Sequence, residues 1–408
     1  MDSLSASNGN FTLDLFKKLN ESNKGKNIFF SSWSISAALA MTYAGAKGNT
    51  ATQMAEVLHF KKTSGSRSCS QVTSTSRRRP KKRKMETEDC NAEDIHSEFQ
   101  ALISLINKPQ TSYLLKTANR LYEEQTYPFH SEYIDFVKKY YHAGPQAVNF
   151  KKAAEQVRKE INSWVESQTE GKIQNLLPRG AVDPNTALVL VNAIYFKGKW
   201  KQRFMNENTS EMPFRLSKTK TKPVQMMFLK DTFSICDLET MKVKIAELPY
   251  VNDDLSMLIL LPDDIEDKST GLEQLEKELT YEKLSNWTSP EMMKKTEVKL
   301  SLPRIKLEES YNLKPTLSSM GMPDAFNHSQ ANFTGMSEDN DLYLSEVFHK
   351  SFVEVNEEGT EAAGASAGVV VVRTSTNPVR FTADHPFLFF IRHNTTKSIL
   401  FFGRFCSP

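Results

Sequence analysis

From Thr360 to Val372 every second residue is Thr360, Ala362, Gly364, Ser366, Gly368, Val370 and Val372. None is large and none is charged. The other register, Glu361 to Arg373, keeps its two charges at its two ends. Side chains alternate between the faces of a strand, so one face of this segment can be buried under helices. No proline interrupts before Pro378, so residues 360–376 can all donate to a ladder. Yet Glu357-Glu358-Gly359 before it and TSTNP after it read as hinge and solvated loop. The segment is compatible with two states, exposed loop and buried strand. A plain linker of small residues is the competing reading, and composition does not separate the two.

The segment also contains GASAG, Gly364 to Gly368, which fits the G-x-S-x-G elbow of serine hydrolases with Ser366 as nucleophile. That elbow needs a strand before the serine and a helix after it. Here EEGTEAA precedes and four valines follow, and a valine run opposes a helix. The only downstream aspartate, Asp384, adjoins His385, whereas an acid and a histidine that orient each other usually come from separate loops. The match reads as chance, and no enzyme activity is expected. Cys69, Cys90, Cys236 and Cys406 show neither C-x-x-C spacing nor nearby histidine pairs, so no metal site and no cofactor are expected.

Apolar residues are 39% of the chain, with 25 Phe, enough for a sizeable core. No run approaches the roughly 18 apolar residues of a membrane span. The start, MDSLSASNGNFTLDLFKKLN, lacks a basic stretch followed by an apolar one, so no secretory signal is read and reduced thiols are expected. Helical spacing places Phe11, Leu15, Phe16 and Leu19 on one face, and Phe99, Leu102, Ile103 and Ile106 on another. NIFFSSWSISAALAMTYAGA starts extended and continues as a buried helix. Further helices are expected over 131–142 and 152–169. After that TALVLVNAIYFKGKW, DLSMLILLPDD, EVKLSLPRIKLEES and FLFFIRHNTTKSILFFGRF read as strands, the last forming a hairpin around residues 393–396. Helices early and strands late, without regular alternation, predict an α+β architecture in one domain, residues 1–408.

Residues 61–94 break the pattern. They have no apolar periodicity and hold ten basic against five acidic side chains in a chain of net charge +3. They are expected to form a disordered, solvated insertion between two helices. Its centre is Arg77, Arg78, Arg79, Pro80, Lys81, Lys82, Arg83, Lys84. Such a run stays extended by self-repulsion and suits an acidic partner. Pro80 to Lys84 resembles a nuclear import signal, and Arg78-Arg79-Pro80 resembles the core of a minor-groove hook without its glycine. An import receptor and DNA or chromatin are the expected partners, with location in nucleus and cytoplasm. No aromatics interleave, so base stacking is not expected. Phosphate on Thr73, Ser74, Thr75 or Ser76 would weaken such binding.

Several separated stretches resemble the serpin family over nearly the whole chain: NIFFSSWSIS, TEGKIQNLLP, LVLVNAIYFKGKW, LSEVFHKSFVEVNEEGTEAAGAS and FTADHPFLFFIRHNTTKSILFFGRF. The polar start resembles the intracellular, ovalbumin-like branch. A heterochromatin-associated member of that branch carries a basic insertion at this place, and the chain resembles it. The resemblance implies a serpin fold: helices on three β-sheets, with a reactive-centre loop at 357–380 that can insert into the main sheet. It implies a suicide inhibitor: a protease cuts the bait bond, becomes acyl-linked, and is dragged away as the loop inserts. Glu358, Gly359, Thr360 and Ala362 correspond to the hinge. Family spacing puts the reactive bond between Arg373 and Thr374. Arg373 suits trypsin-like serine proteases, and Val372 before it suits papain-like cysteine proteases. Ser31, Ser34, Asn192, Trp200 and His349 correspond to the shutter and breach beneath the opening sheet. The chain departs from the family at Ser32-Trp33, where proline is usual, which puts a large aromatic near the shutter. The competing functional reading is an architectural chromatin protein with little inhibitory activity.

Overall fold

The computed structural model describes residues 2–60, 89–108, 113–359 and 377–408. Arg77–Lys84, Thr360, Ala362, Val372, Arg373 and Thr374 lie outside the described residues, as does Ser366. The chain opens with α1 (Asp2–Ser22), β1 (Ile28–Phe30), α2 (Ser32–Gly45), α3 (Gly48–Val57) and α4 (Asp89–Ile106). β2 (Tyr113–Glu124), α5 (Ser131–Tyr141), β3 (Gln146–Val148), α6 (Phe150–Gln168) and β4 (Leu188–Gly198) follow. Next come β5 (Ser210–Arg215), β6 (Thr221–Leu238), β7 (Val243–Pro249), β8 (Leu255–Pro262), α7 (Glu273–Glu278) and α8 (Tyr281–Trp287). β9 (Lys294–Pro303), β10 (Ile305–Asn312), α9 (Lys314–Met320), β11 (Leu344–Val355), β12 (Val379–Thr382), β13 (Phe387–His393) and β14 (Ile399–Phe405) complete the chain. α4 begins at Asp89, ahead of the apolar stripe that starts at Ile95. Apolar spacing marks the part of a helix that packs, not the turn where it starts.

One sheet has five strands in the order β10-β11-β4-β2-β3. The others share a strand. β6 pairs β5 and β9 along residues 221–235 and then β7 from Ser234 to Leu238. Its 18 residues therefore serve two sheets in turn, β5-β6-β9-β12 and β1-β14-β13-β8-β7, joined into one ladder. This is the helices-on-three-sheets architecture that the resemblance implies.

β4 shows how the layers are stacked. Leu188, Leu190, Ile194 and Phe196 enter one apolar cluster, and Val189, Val191, Ala193 and Tyr195 enter another. Successive strand residues face opposite ways, so a strand apolar on both faces needs cover on both. α2 belongs to the first cluster and α6 to the second. α2 is buried continuously from Ser32 to Thr42, which its serines and alanines allow by bringing the backbone close to its neighbours. Ser31 caps it, accepting a hydrogen bond from the Ser34 amide. Among the described residues no helix is long and apolar enough to cross a membrane.

Candidate functional site

β4 and β11 run parallel at the centre of the five-stranded sheet, paired from Leu344–Leu188 to Val353–Phe196. Beneath this seam lies a chain of hydrogen bonds. Asn192 on β4 and His349 on β11 are direct cross-strand partners. Both side chains face α2. His349 is fully buried, and burial holds its pKa down at about 3, so the ring is neutral. The Ser31 amide donates to His349 Nε2 at 3.2 Å. An amide can only donate, so Nε2 is the acceptor and Nδ1 carries the proton. Nδ1 then donates to Asn192 Oδ1 at 2.6 Å. Asn192 Nδ2 passes the chain on to Ser34 Oγ at 2.6 Å, and Ser31 Oγ ties it to the Leu400 carbonyl on β14 at 2.7 Å. With both nitrogens engaged in a buried site, His349 holds two strands and a helix together.

Trp33, in the first turn of α2, is 3% exposed, and its indole nitrogen has no hydrogen-bond partner among the described residues. A buried ring thus follows Ser32 at the start of α2 and leaves its donor unused.

Trp200 is elsewhere. It lies past the end of β4, stacked on Tyr250 with ring centres 4.5 Å apart, and donates through Nε1 to the Asn356 carbonyl at 3.0 Å. It therefore belongs with the hinge and not with the His349 cluster. The hinge is a tight turn: Asn356 and Gly359 exchange backbone hydrogen bonds at 2.8 and 3.2 Å. The Trp200 amide donates to the Glu358 carbonyl, and the Phe204 amide to the Glu357 carbonyl. Gly359 has φ +111°, and a Cβ there would come within 2.3 Å of the Gly198 carbonyl oxygen. Only glycine fits such a turn against a neighbouring backbone.

Glu357 anchors the turn. Its carboxylate is 5% exposed and accepts from Arg304 Nε at 2.9 Å, Arg304 Nη2 at 2.7 Å and Thr209 Oγ1 at 2.6 Å. Burial alone would raise its pKa, but the Arg304 and Thr209 hydrogen bonds prevail and hold it below its ordinary value. Arg304, Thr209 and Tyr250 are contacts around this turn that the sequence pattern does not mark. Arg304 lies inside EVKLSLPRIKLEES, which reads as one strand but is split here into β9 and β10 of different sheets, and its partner is 53 residues away. Glu358 and Gly359 are placed here, while Thr360 and Ala362 lie outside the described residues.

The hydrolase reading would need His385, the histidine beside Asp384, as its base. His385 is 2% exposed. Its Nε2 lies 2.6 Å from the Pro262 carbonyl, and its Nδ1 lies 2.7 Å from Asp384 Oδ1 and 3.2 Å from an Arg215 nitrogen. Both nitrogens are engaged within the core. Among the described residues no group of acids, histidines and cysteines could hold a metal.

A family model described as Serpin (serine protease inhibitor) matches residues 6–408. Serpin B10 of Homo sapiens is 57% identical over 408 residues, covering all of both chains. The solved structure of uncleaved ovalbumin superposes with a TM-score of 0.85 at 40% identity over all of both chains. A loop-inserted structure of a cleaved ovalbumin mutant superposes with a TM-score of 0.84 at 39% identity, again over all of both chains.

Proposed function

This chain belongs to the serpin family of protease inhibitors, and from that premise we propose that it traps proteases as a suicide substrate and is not itself an enzyme. The bait bond is Arg373–Thr374. The protease nucleophile attacks the Arg373 carbonyl, the Thr374 amine leaves, and the chain stays acyl-linked to the protease. Residues 360–372 then enter the five-stranded sheet between β4 and β11 as a sixth strand. Arg373 selects trypsin-like serine proteases, whose pocket carboxylate pairs with a guanidinium, and Val372 selects papain-like cysteine proteases.

The observation that carries this reading is the hinge. Residues 356–359 turn at the end of the seam between two parallel strands that already pair. The turn is held by one buried carboxylate and one glycine that no other residue can replace. Directly after it comes a segment with one face free of bulk and charge. That ovalbumin structures with an uncleaved and an inserted loop both superpose on this chain supports the same fold holding either state. The native state is then kinetically held above the inserted one. Incubation with trypsin-like and papain-like enzymes tests the proposal. A serine protease should give a complex that survives denaturing electrophoresis. Clean cleavage without a complex, for every enzyme tried, would sink it.

A second activity is favoured by seven cations in the eight positions Arg77 to Lys84. We read this run as a nuclear import signal and as a contact for DNA phosphates, with the protein in nucleus and cytoplasm. Relatives matching from end to end are named Serpin B10; the likeness to a heterochromatin-associated member rests on the insertion alone. An architectural chromatin role without inhibition is the alternative. Deleting 77–84 separates the two, because DNA binding should go and protease trapping should stay.

A further inference from the structure

The sheet β5-β6-β9-β12 carries an unusual row on its exposed face. Lys230 on β6 pairs directly with Lys299 on β9, and Lys299 pairs directly with Arg380 on β12. Residues paired across a ladder share a face, and neighbouring strands lie about 4.8 Å apart. Three cations are thus set side by side over roughly 10 Å. Like charges directly opposite destabilise a sheet. Lys230 has one relief, an ion pair with Glu297 at 2.9 Å. Lys299 and Arg380 have no ion pair among the described residues. The next row on the same face is Phe228, Ser301 and Thr382, and Phe228 is 37% exposed.

The row is also close to the bait. β12 is the strand that receives the chain after the loop, and Arg380 follows Arg373 by seven residues. Seven residues span at most about 25 Å. A protease domain of about 230 residues has a radius of gyration near 17 Å, so one seated on the bait bond comes within reach of Arg380 and the row beside it. An exposed aromatic on the same face as a row of cations suits a protein partner, whereas a phosphate-tracking face would not need Phe228.

We propose that Phe228, Lys230, Lys299 and Arg380 form a second docking surface for the attacking protease, selecting enzymes whose rim beside the active-site cleft is acidic. The proposal rests on the reading of 357–380 as a bait loop. The bait residues then decide which bond is cut, and this face decides how fast acidic enzymes arrive. Opposed charges across an interface act mainly on the association rate, and they are screened by salt.

The test is the association rate constant for two proteases of one class, one acidic and one basic, at low and high salt. The full-length protein is compared with Lys299→Glu/Arg380→Glu and with the neutral Lys299→Gln/Arg380→Gln. For the acidic enzyme at low salt the reversed pair should slow association about tenfold, and the neutral pair by less. The difference should vanish near 1 M salt, where the screening length is about 3 Å. The basic enzyme should not be slowed. The neutral pair covers any misfolding of the reversed one, since it removes the repulsion within the row. Equal rates for all three proteins, with covalent complexes still forming, would overturn this surface and leave the inhibitor reading intact. No complex from the unaltered protein would overturn both. If a variant lacking 77–84 still bound duplex DNA and lost that binding with Lys299→Glu/Arg380→Glu, the face would belong to nucleic acid instead.

Discussion

Arg304 holds Glu357 through two nitrogens, Nε at 2.9 Å and Nη2 at 2.7 Å, and so pins the turn that precedes the bait segment. The carboxylate is nearly buried while the guanidinium is about half exposed. Arg304→Ala therefore leaves a buried carboxylate with only Thr209 as a side-chain partner. Discounted for the exposed arginine, the cost is about 2 kcal/mol. The sign with pH follows from the depressed carboxyl. Its contribution is complete above the ordinary value of 4.5 and is lost as pH falls through the lower folded value. Melting temperatures of native protein and Arg304→Ala should differ at pH 7 and converge in acid below pH 4.5. A constant gap down to acid would count against the pair.

Gly359→Ala places a Cβ within 2.3 Å of the Gly198 carbonyl oxygen, in a backbone conformation with φ +111°. Strain of this kind costs about 1–3 kcal/mol. The variant should melt earlier and form less covalent complex per protease added, because the hinge must reopen elsewhere. An unchanged melting curve would mean the turn relaxes freely.

His349 makes stability depend on pH in a window of its own. Its folded pKa of about 3 lies below the ordinary 6.5, so between these values the unfolded chain binds one more proton than the folded one. Stability therefore falls as pH drops from 6.5 towards 3, by roughly 1.4 kcal/mol per unit. His96, pushed to about 4 by burial among aromatic rings, adds a similar loss over a shorter window. In His349→Gln the slope between pH 4 and 6 should be shallower by about one proton. Denaturant titrations across that range measure it.

Insertion of residues 360–372 would add about one ladder hydrogen bond per residue, on the order of 10 kcal/mol in total. For a chain this long that is a rise in melting temperature on the order of 10 °C. Nicking near Arg373 should produce this rise. Thr360→Arg should abolish it and turn the inhibitor into a substrate, since a charge would have to enter the sheet. Arg373→Ala should remove trypsin-like targets and spare papain-like ones.

If the basic run neutralises up to seven phosphates, DNA affinity should fall with salt at a log–log slope near −6, about 0.9 per contact. Deletion of 77–84 should flatten the slope. Substituting Thr73, Ser74, Thr75 and Ser76 with glutamate should weaken binding at fixed salt.

Local pattern made much of this molecule legible. The apolar faces of Phe11 to Leu19 and Phe99 to Ile106 are buried as helical spacing predicts, and the hairpin 387–405 pairs as its two apolar runs predict. β2 and β6 escaped notice. Lys116, Asn119 and Arg120 interrupt the apolar residues of β2, and Pro223 and scattered charges break up β6. Both strands take their stability from neighbours far along the chain.

The sequence by itself determined that residues 360–372 can lie in a sheet, because period and side-chain volume are properties of the segment alone. Tertiary structure alone decided that His349 meets Asn192 and Ser31, that Trp200 guards the hinge, and that Arg304 holds Glu357. Those contacts join residues up to 318 positions apart. Their energies depend on burial and distance, which no stretch of chain carries until the layers close around it.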